Sequence, residues 1–174
     1  MIGRAEYLSF ERDGEIRHEW VGGQIFVMTG GSARHNRIAL RLGAGLLGAA
    51  DRDGCRAYVA DMKVVTADFG YYPDVMVVCD RHQPGDYHEE RPCLIAEVLS
   101  PSTADRDRRE KRAAYQSIPS LLHLLLIGQD DPRIEHFFRE PDGQWQHVQL
   151  GPDDLIVLRC PDVSVPVAEV YIGL

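Results

Sequence analysis

The segments YYPDVMVVC, CLIAEVLS and LLHLLLI are apolar almost without interruption and are bounded by turn residues. Such runs read as strands covered on both faces, because a strand with one wet face alternates apolar and polar residues instead. Each is far short of the roughly 20 apolar residues that cross a bilayer. The opening MIGRAEYLSFERDGE has no signal-peptide stretch, so the chain is expected in the cytoplasm with no membrane partner. A chain of 174 residues buries roughly 70% of its unfolded surface on folding. One domain over residues 1–174 is therefore expected, without a covalent or metal staple.

RAEYLSFER predicts a short helix, and Gly22-Gly23 between IRHEWV and QIFVM predicts a hairpin turn. Apolar residues at Ile38, Leu42, Leu46 and Ala49 predict a core-packed helix from about Arg34 to Ala50, capped by Ser32. CRAYVADMKVVT reads as a strand, and PSTADRDRREKRAAYQS as a charged helix capped by Ser102 or Thr103. The tail RIEHFFRE, QWQHVQL and LIVLR predicts an antiparallel meander, closed by a short helix around Val167 to Tyr171. The order helix, strand, strand, strand, helix, strand is an α/β core with β extensions at both ends. Cys55, Cys79, Cys93 and Cys160 include no CxxC pair and no zinc-ligand spacing, and are expected to be reduced core residues.

The net charge of −8 argues against coating of nucleic acid by bulk electrostatics, while leaving room for a local basic cleft. The cations are 17 Arg and two Lys, Lys63 and Lys111. An ammonium is a compact point charge that can approach a phosphate or a water, which a planar guanidinium does less well. Asp74 and Glu97 stand inside apolar strands, where an unpaired carboxylate costs several kcal/mol to desolvate. If the strands are neighbours, the two acids can converge on one divalent cation, and oxygen donors with several waters suit Mg²⁺. An exposed strand end or a salt bridge to Arg is the other reading of the pair.

The stretches HEWVGGQIFVMTGGSARHNRIA, ADMKVV, YYPDVMVVCD, LIAEVLSPSTADRDRREKRAAYQSIPS and LLHLLLI, in that order, resemble the Uma-type restriction-endonuclease-like family of bacteria, a branch of the PD-(D/E)XK nuclease superfamily. The resemblance implies an αβββαβ core with a mixed central sheet, an N-terminal hairpin and a C-terminal β extension. It implies that Asp74, Glu97 and the backbone carbonyl of Val98 bind Mg²⁺, with Mn²⁺ able to substitute. Glu19 matches an acidic position that approaches the metal from the opposite side; its other reading is an exposed hairpin charge. The pattern E-x-K is broken, since Leu99 stands two residues after Glu97. Lys111 is the favoured substitute cation and Lys63 the rival.

A phosphodiesterase needs a nucleophilic water and charge stabilisation on the phosphorane, which one or two such cations supply. Arg34, His35 and Arg37 on the first core helix, with Arg108 and Arg112 on the second, are candidate DNA-phosphate contacts; interleaved acids make a salt-bridged solvated face the alternative. The sequence thus points to a Mg²⁺-dependent DNA endonuclease. Its rivals are a catalytically weak nucleic-acid-binding or regulatory module of the same fold, and a metal-dependent hydrolase of a small phosphorylated or carbohydrate substrate. A homodimer fits a double-strand cut.

Overall fold

The apolar runs form the middle of a six-stranded sheet. Its order is β11 (Trp145–Leu150), β10 (Ile134–Arg139), β9 (His123–Gly128), β8 (Leu94–Leu99), β6 (Val75–Val78) and β3 (Arg56–Val59). β8 and β9 run parallel, while the remaining pairs are antiparallel, so the sheet is mixed. This computed structural model describes residues 1–174 apart from Thr29, Gln83, Pro84 and 101–106, and apart from the side chains of Asp107 and Arg108. The expected cap at Ser102 or Thr103 lies outside the described residues. Its helix is described from a π-helical turn at Asp107–Lys111 into α3 (Arg112–Gln116).

One face of this sheet is covered by α2 (Ala33–Arg52), whose Ser32 hydroxyl accepts the His35 backbone N–H at 3.1 Å as the predicted cap. Ile38, Leu42 and Leu46 are fully buried against Val75, Leu94, Ala96 and Leu125, each worth roughly 1.5–3 kcal/mol in burial. Gly43 lets the helix close on β3, where a Cβ would run into Val59.

The other face packs on a second sheet, ordered β2 (Gln24–Val27), β1 (His18–Val21), β5 (Phe69–Tyr71), β4 (Lys63–Val65) and β7 (His88–Glu89). Val64, Phe69 and Tyr71 from this layer meet Met76, Ile95, Leu99 and Tyr115 in a shared apolar layer. Gly22 and Gly23 both take positive φ, 54° and 84°, giving the predicted hairpin its turn. α1 (Arg4–Asp13) lies against this sheet through Tyr7, which stacks on Trp20. β12 (Leu155–Arg159) and β13 (Asp162–Pro166) form a separate ladder, followed by α4 (Val167–Val170).

Three expectations are corrected. The tail is not one meander: RIEHFFRE and QWQHVQL pair as β10 and β11, whereas LIVLR pairs with DVSVP in its own ladder. CRAYVADMKVVT is two strands in two sheets, because Ala60 and Asp61 adopt φ of 53° and 56° and turn the chain between β3 and β4. The cysteines are paired as Cys55–Cys79 and Cys93–Cys160, not reduced. Strand register brings them together: Arg56 pairs with Val78, so Cys55 and Cys79 extend the same ladder by one step. Separations of 24 and 67 residues left no local motif to read. Among the described residues no helix is long and apolar enough to cross a membrane.

Candidate active site

Asp74 immediately precedes β6, and Glu97 lies within β8. Val75 pairs with Ala96 in antiparallel register, so Asp74 and Glu97 occupy the next opposed positions. Residues opposed in this way project to the same face of a sheet. The Asp74 carboxylate accepts the Val98 backbone N–H at 2.6 Å, and its Oδ2 lies 3.2 Å from His35 Nε2 at the start of α2. Gly31 leaves room for that imidazole, since a Cβ there would lie 2.7 Å from His35 Nδ1.

Glu97 is buried in the layer between the sheets, where an isolated carboxylate would be costly. It is compensated by Tyr115, whose hydroxyl donates to Oε1 at 2.5 Å, and by Lys111 Nζ at 3.4 Å. Burial, and then the Glu97 charge, push the Tyr115 hydroxyl well above its ordinary pKa, so it stays a donor. Lys111 also lies 2.7 Å from Glu19 Oε1 and 5.3 Å from the Tyr71 ring centroid. The ammonium is thus held between an acid of each sheet and an aromatic face.

These groups line a cleft of about 520 Å³, with Glu19, His35, Asp74, Glu97, Val98 and Lys111 on its walls. Ala60 and Asp61, the two non-glycine residues with positive φ among the described residues, also line it. Such backbone costs about 1–2 kcal/mol per residue and is commonly retained at functional sites. Residues 4–168 match the Uma2 family, described as "Putative restriction endonuclease".

The chain belongs to the Uma2 family.

The family expected from the motifs is therefore the one found. Two uncharacterised proteins of Synechocystis sp. are 34% identical over 172 residues, covering 97% of this chain and 90% of that protein, and 37% identical over 156 residues, covering 86% and 88%. A crystal structure described as a putative nuclease of DUF820 from Anabaena variabilis superposes with a TM-score of 0.80 at 16% identity, over 98% of each chain. That likeness establishes the α/β fold expected from the sequence.

Within this Uma2 fold, Asp74, Glu97, Lys111 and Glu19 come together around one cleft. Lys63 does not join them: it is buried on β4 with Nζ 5.3 Å from the Tyr72 ring centroid, and burial pushes its ammonium below the ordinary lysine range. Arg34 donates to the Gln129 carbonyl at 2.6 Å, and Arg112 lies over the Phe137 ring at 5.2 Å. Arg37 is exposed on α2. The side chain of Arg108 lies outside the described residues.

The donor set fits a hard divalent ion in part. Asp74 and Glu97 offer carboxylate oxygens from adjacent strands to a polar cleft, which is Mg²⁺ chemistry. Glu19 does not complete a three-acid cluster: among the described residues the three-ligand group formed is one of cysteines. Glu19 instead converges with Glu97 on Lys111. The Tyr115–Glu97 hydrogen bond and the His35–Asp74 contact both join residues from separate elements, which a reading of the sequence does not supply. The signal for Tyr115 was its four-residue spacing from Lys111, which stacks both on one helical face.

Proposed function

We propose that this protein is a Mg²⁺-dependent endonuclease that hydrolyses DNA phosphodiester bonds. What carries the proposal is the meeting of Asp74 and Glu97 from adjacent strands in one cleft, with the Lys111 ammonium beside Glu97. The Asp74 and Glu97 carboxylates and the Val98 carbonyl would hold the ion, and Mn²⁺ would substitute. A bound Mg²⁺ supplies Lewis-acid stabilisation of phosphorane charge and lowers the pKa of a nucleophilic water.

The protein's own groups do the rest. His35 and the Val98 N–H fix the Asp74 carboxylate, and Tyr115 fixes that of Glu97. Lys111 orients water or a phosphate oxygen, in place of the lysine that Leu99 replaces. Glu19, 2.7 Å away, holds that ammonium in place. Leu99 is buried in the apolar layer with Tyr115 and Leu126, so a cation at that position would have had no water to reach. Arg34, Arg37, Arg108 and Arg112 would contact phosphates, and a homodimer would present two clefts to a duplex.

The test is nicking of supercoiled plasmid by the wild type and by Asp74→Ala, with Mg²⁺ and with chelator. Activity that needs both the acid and the ion supports the reading. Equal nicking by the two proteins shows contamination and removes it, and cleavage of RNA but not DNA would correct the substrate.

A further inference from the structure

The four cysteines come from four strand ends and meet at one point. Cys55 directly precedes β3, Cys79 directly follows β6, Cys93 directly precedes β8, and Cys160 directly follows β12. The bonds Cys55–Cys79 and Cys93–Cys160 lie against each other: Cys93 Sγ is 3.5 Å from Cys79 Sγ. The sulfurs of Cys55, Cys79 and Cys160 all fall within 4.8 Å of one another. Cys55, Cys93 and Cys160 are buried, and Cys79 is partly so.

Two disulfides that merely staple a fold have no reason to touch. Four thiolates around a tetrahedral zinc ion do: with metal–sulfur bonds of about 2.3 Å, the sulfurs lie about 3.8 Å apart. Between the two pairs, Cys93 Sγ stands 3.5 Å from Cys79 Sγ and Cys160 Sγ lies within 4.8 Å of both Cys55 and Cys79, so closing the site requires that each bonded pair part. Disulfides are also rare wherever glutathione and thioredoxin keep thiols reduced. There the same four sulfurs would be packed thiols at the edge of an apolar cluster, a costly place for thiolates unless a cation neutralises them.

We propose that Cys55, Cys79, Cys93 and Cys160, once reduced, form a closed four-thiolate site for zinc. Reduction breaks each S–S bond with two electrons and two protons from a dithiol reductant, which closes to its own disulfide. Zinc binding then forms four Zn–S bonds and releases the four protons to water. The site is structural, since all four positions are filled by protein. It sits at the opposite ends of β6 and β8 from Asp74 and Glu97, and would hold those strands in register whether or not the cleft is catalytic.

The full chain, reduced under anaerobic conditions and given one equivalent of Zn²⁺, is freed of loose metal by gel filtration and assayed for retained zinc. One ion per chain is expected on the wild type and on Asp74→Ala, background zinc on the oxidised protein, and background on Cys79→Ser and Cys160→Ser. Retention of zinc by both cysteine variants overturns the proposal, as does a reduced wild type that holds none. Should the variants fail to fold, Co²⁺ on reduced wild type decides: tetrahedral thiolate–cobalt charge-transfer bands support the site, and an oxygen-ligand spectrum overturns it.

Discussion

Lys111 Nζ lies 2.7 Å from Glu19 Oε1, and this ion pair ties the hairpin sheet to the helix that follows the Glu97 strand. Both partners are buried, so neither charge is solvated well enough to be left alone. Replacing Lys111 by Met leaves Glu19 and Glu97 without their shared cation. The expected cost is about 3–5 kcal/mol, read as a lowered midpoint in urea. The double variant Glu19→Gln/Lys111→Met recovers part of that loss without recovering cleavage. A midpoint unchanged by Lys111→Met would mean that the pair contributes nothing to the fold.

Tyr115 donates to Glu97 from a fully buried position, so Tyr115→Phe removes one hydrogen bond and keeps the ring packing. Supporting contacts of this kind typically cost roughly 10–100-fold in metal affinity when lost. Titration calorimetry with Mn²⁺ should show a weakening of that size for Tyr115→Phe, and a larger one for Glu97→Gln. Equal affinities for Tyr115→Phe and wild type would remove Tyr115 from the site.

Gly31 borders His35 closely enough that an added methyl must displace the imidazole. Gly31→Ala should therefore reproduce His35→Ala, lowering Mn²⁺ affinity roughly tenfold through a less restrained Asp74. Gly31 is exposed, so stability should change by no more than about 0.5 kcal/mol. An unaltered affinity in Gly31→Ala, with His35→Ala impaired, would show that the ring moves aside harmlessly.

A buried histidine pair sets the acid limit of the fold. His123 Nε2 accepts the Arg159 backbone N–H at 3.0 Å, so its Nδ1 carries the proton and donates to His136 Nε2 at 3.0 Å. Burial, with His136 next in size, pushes His123 down to about 3; burial and then His147 push His136 down to about 4. Both groups are neutral in the folded chain well below the ordinary imidazole range, where the unfolded chain already binds their protons. Stability is therefore fully present above about pH 6.5 and falls as pH drops toward about 4, by about 1.4 kcal/mol per pH unit for each histidine. His136→Gln should roughly halve the slope of unfolding free energy against pH, and an unchanged slope would assign the acid limit elsewhere.

The core strands were legible because their apolarity is local and continuous, and α2 because its period and Ser32 cap are local too. The Asp74 and Glu97 pair was legible because a carboxylate in an apolar strand violates the burial rule on sight. What was not legible depended on pairing between distant segments. The Cys55–Cys79 contact follows from the register of β3 against β6, and the meeting of Glu19 with Glu97 at Lys111 follows from the packing of two sheets. Nothing local marks the left-handed Ala60 and Asp61 either, since neither is the glycine that such a turn favours.

Glu19 and Glu97 belong to different sheets, and Lys111 is the bolt between them. The proposed site is consequently a property of the seam and of neither layer alone. A breathing motion that opened the seam by a few ångströms would leave every strand ladder intact while scattering the acids and their cation. For this architecture, being folded and being competent are separate conditions.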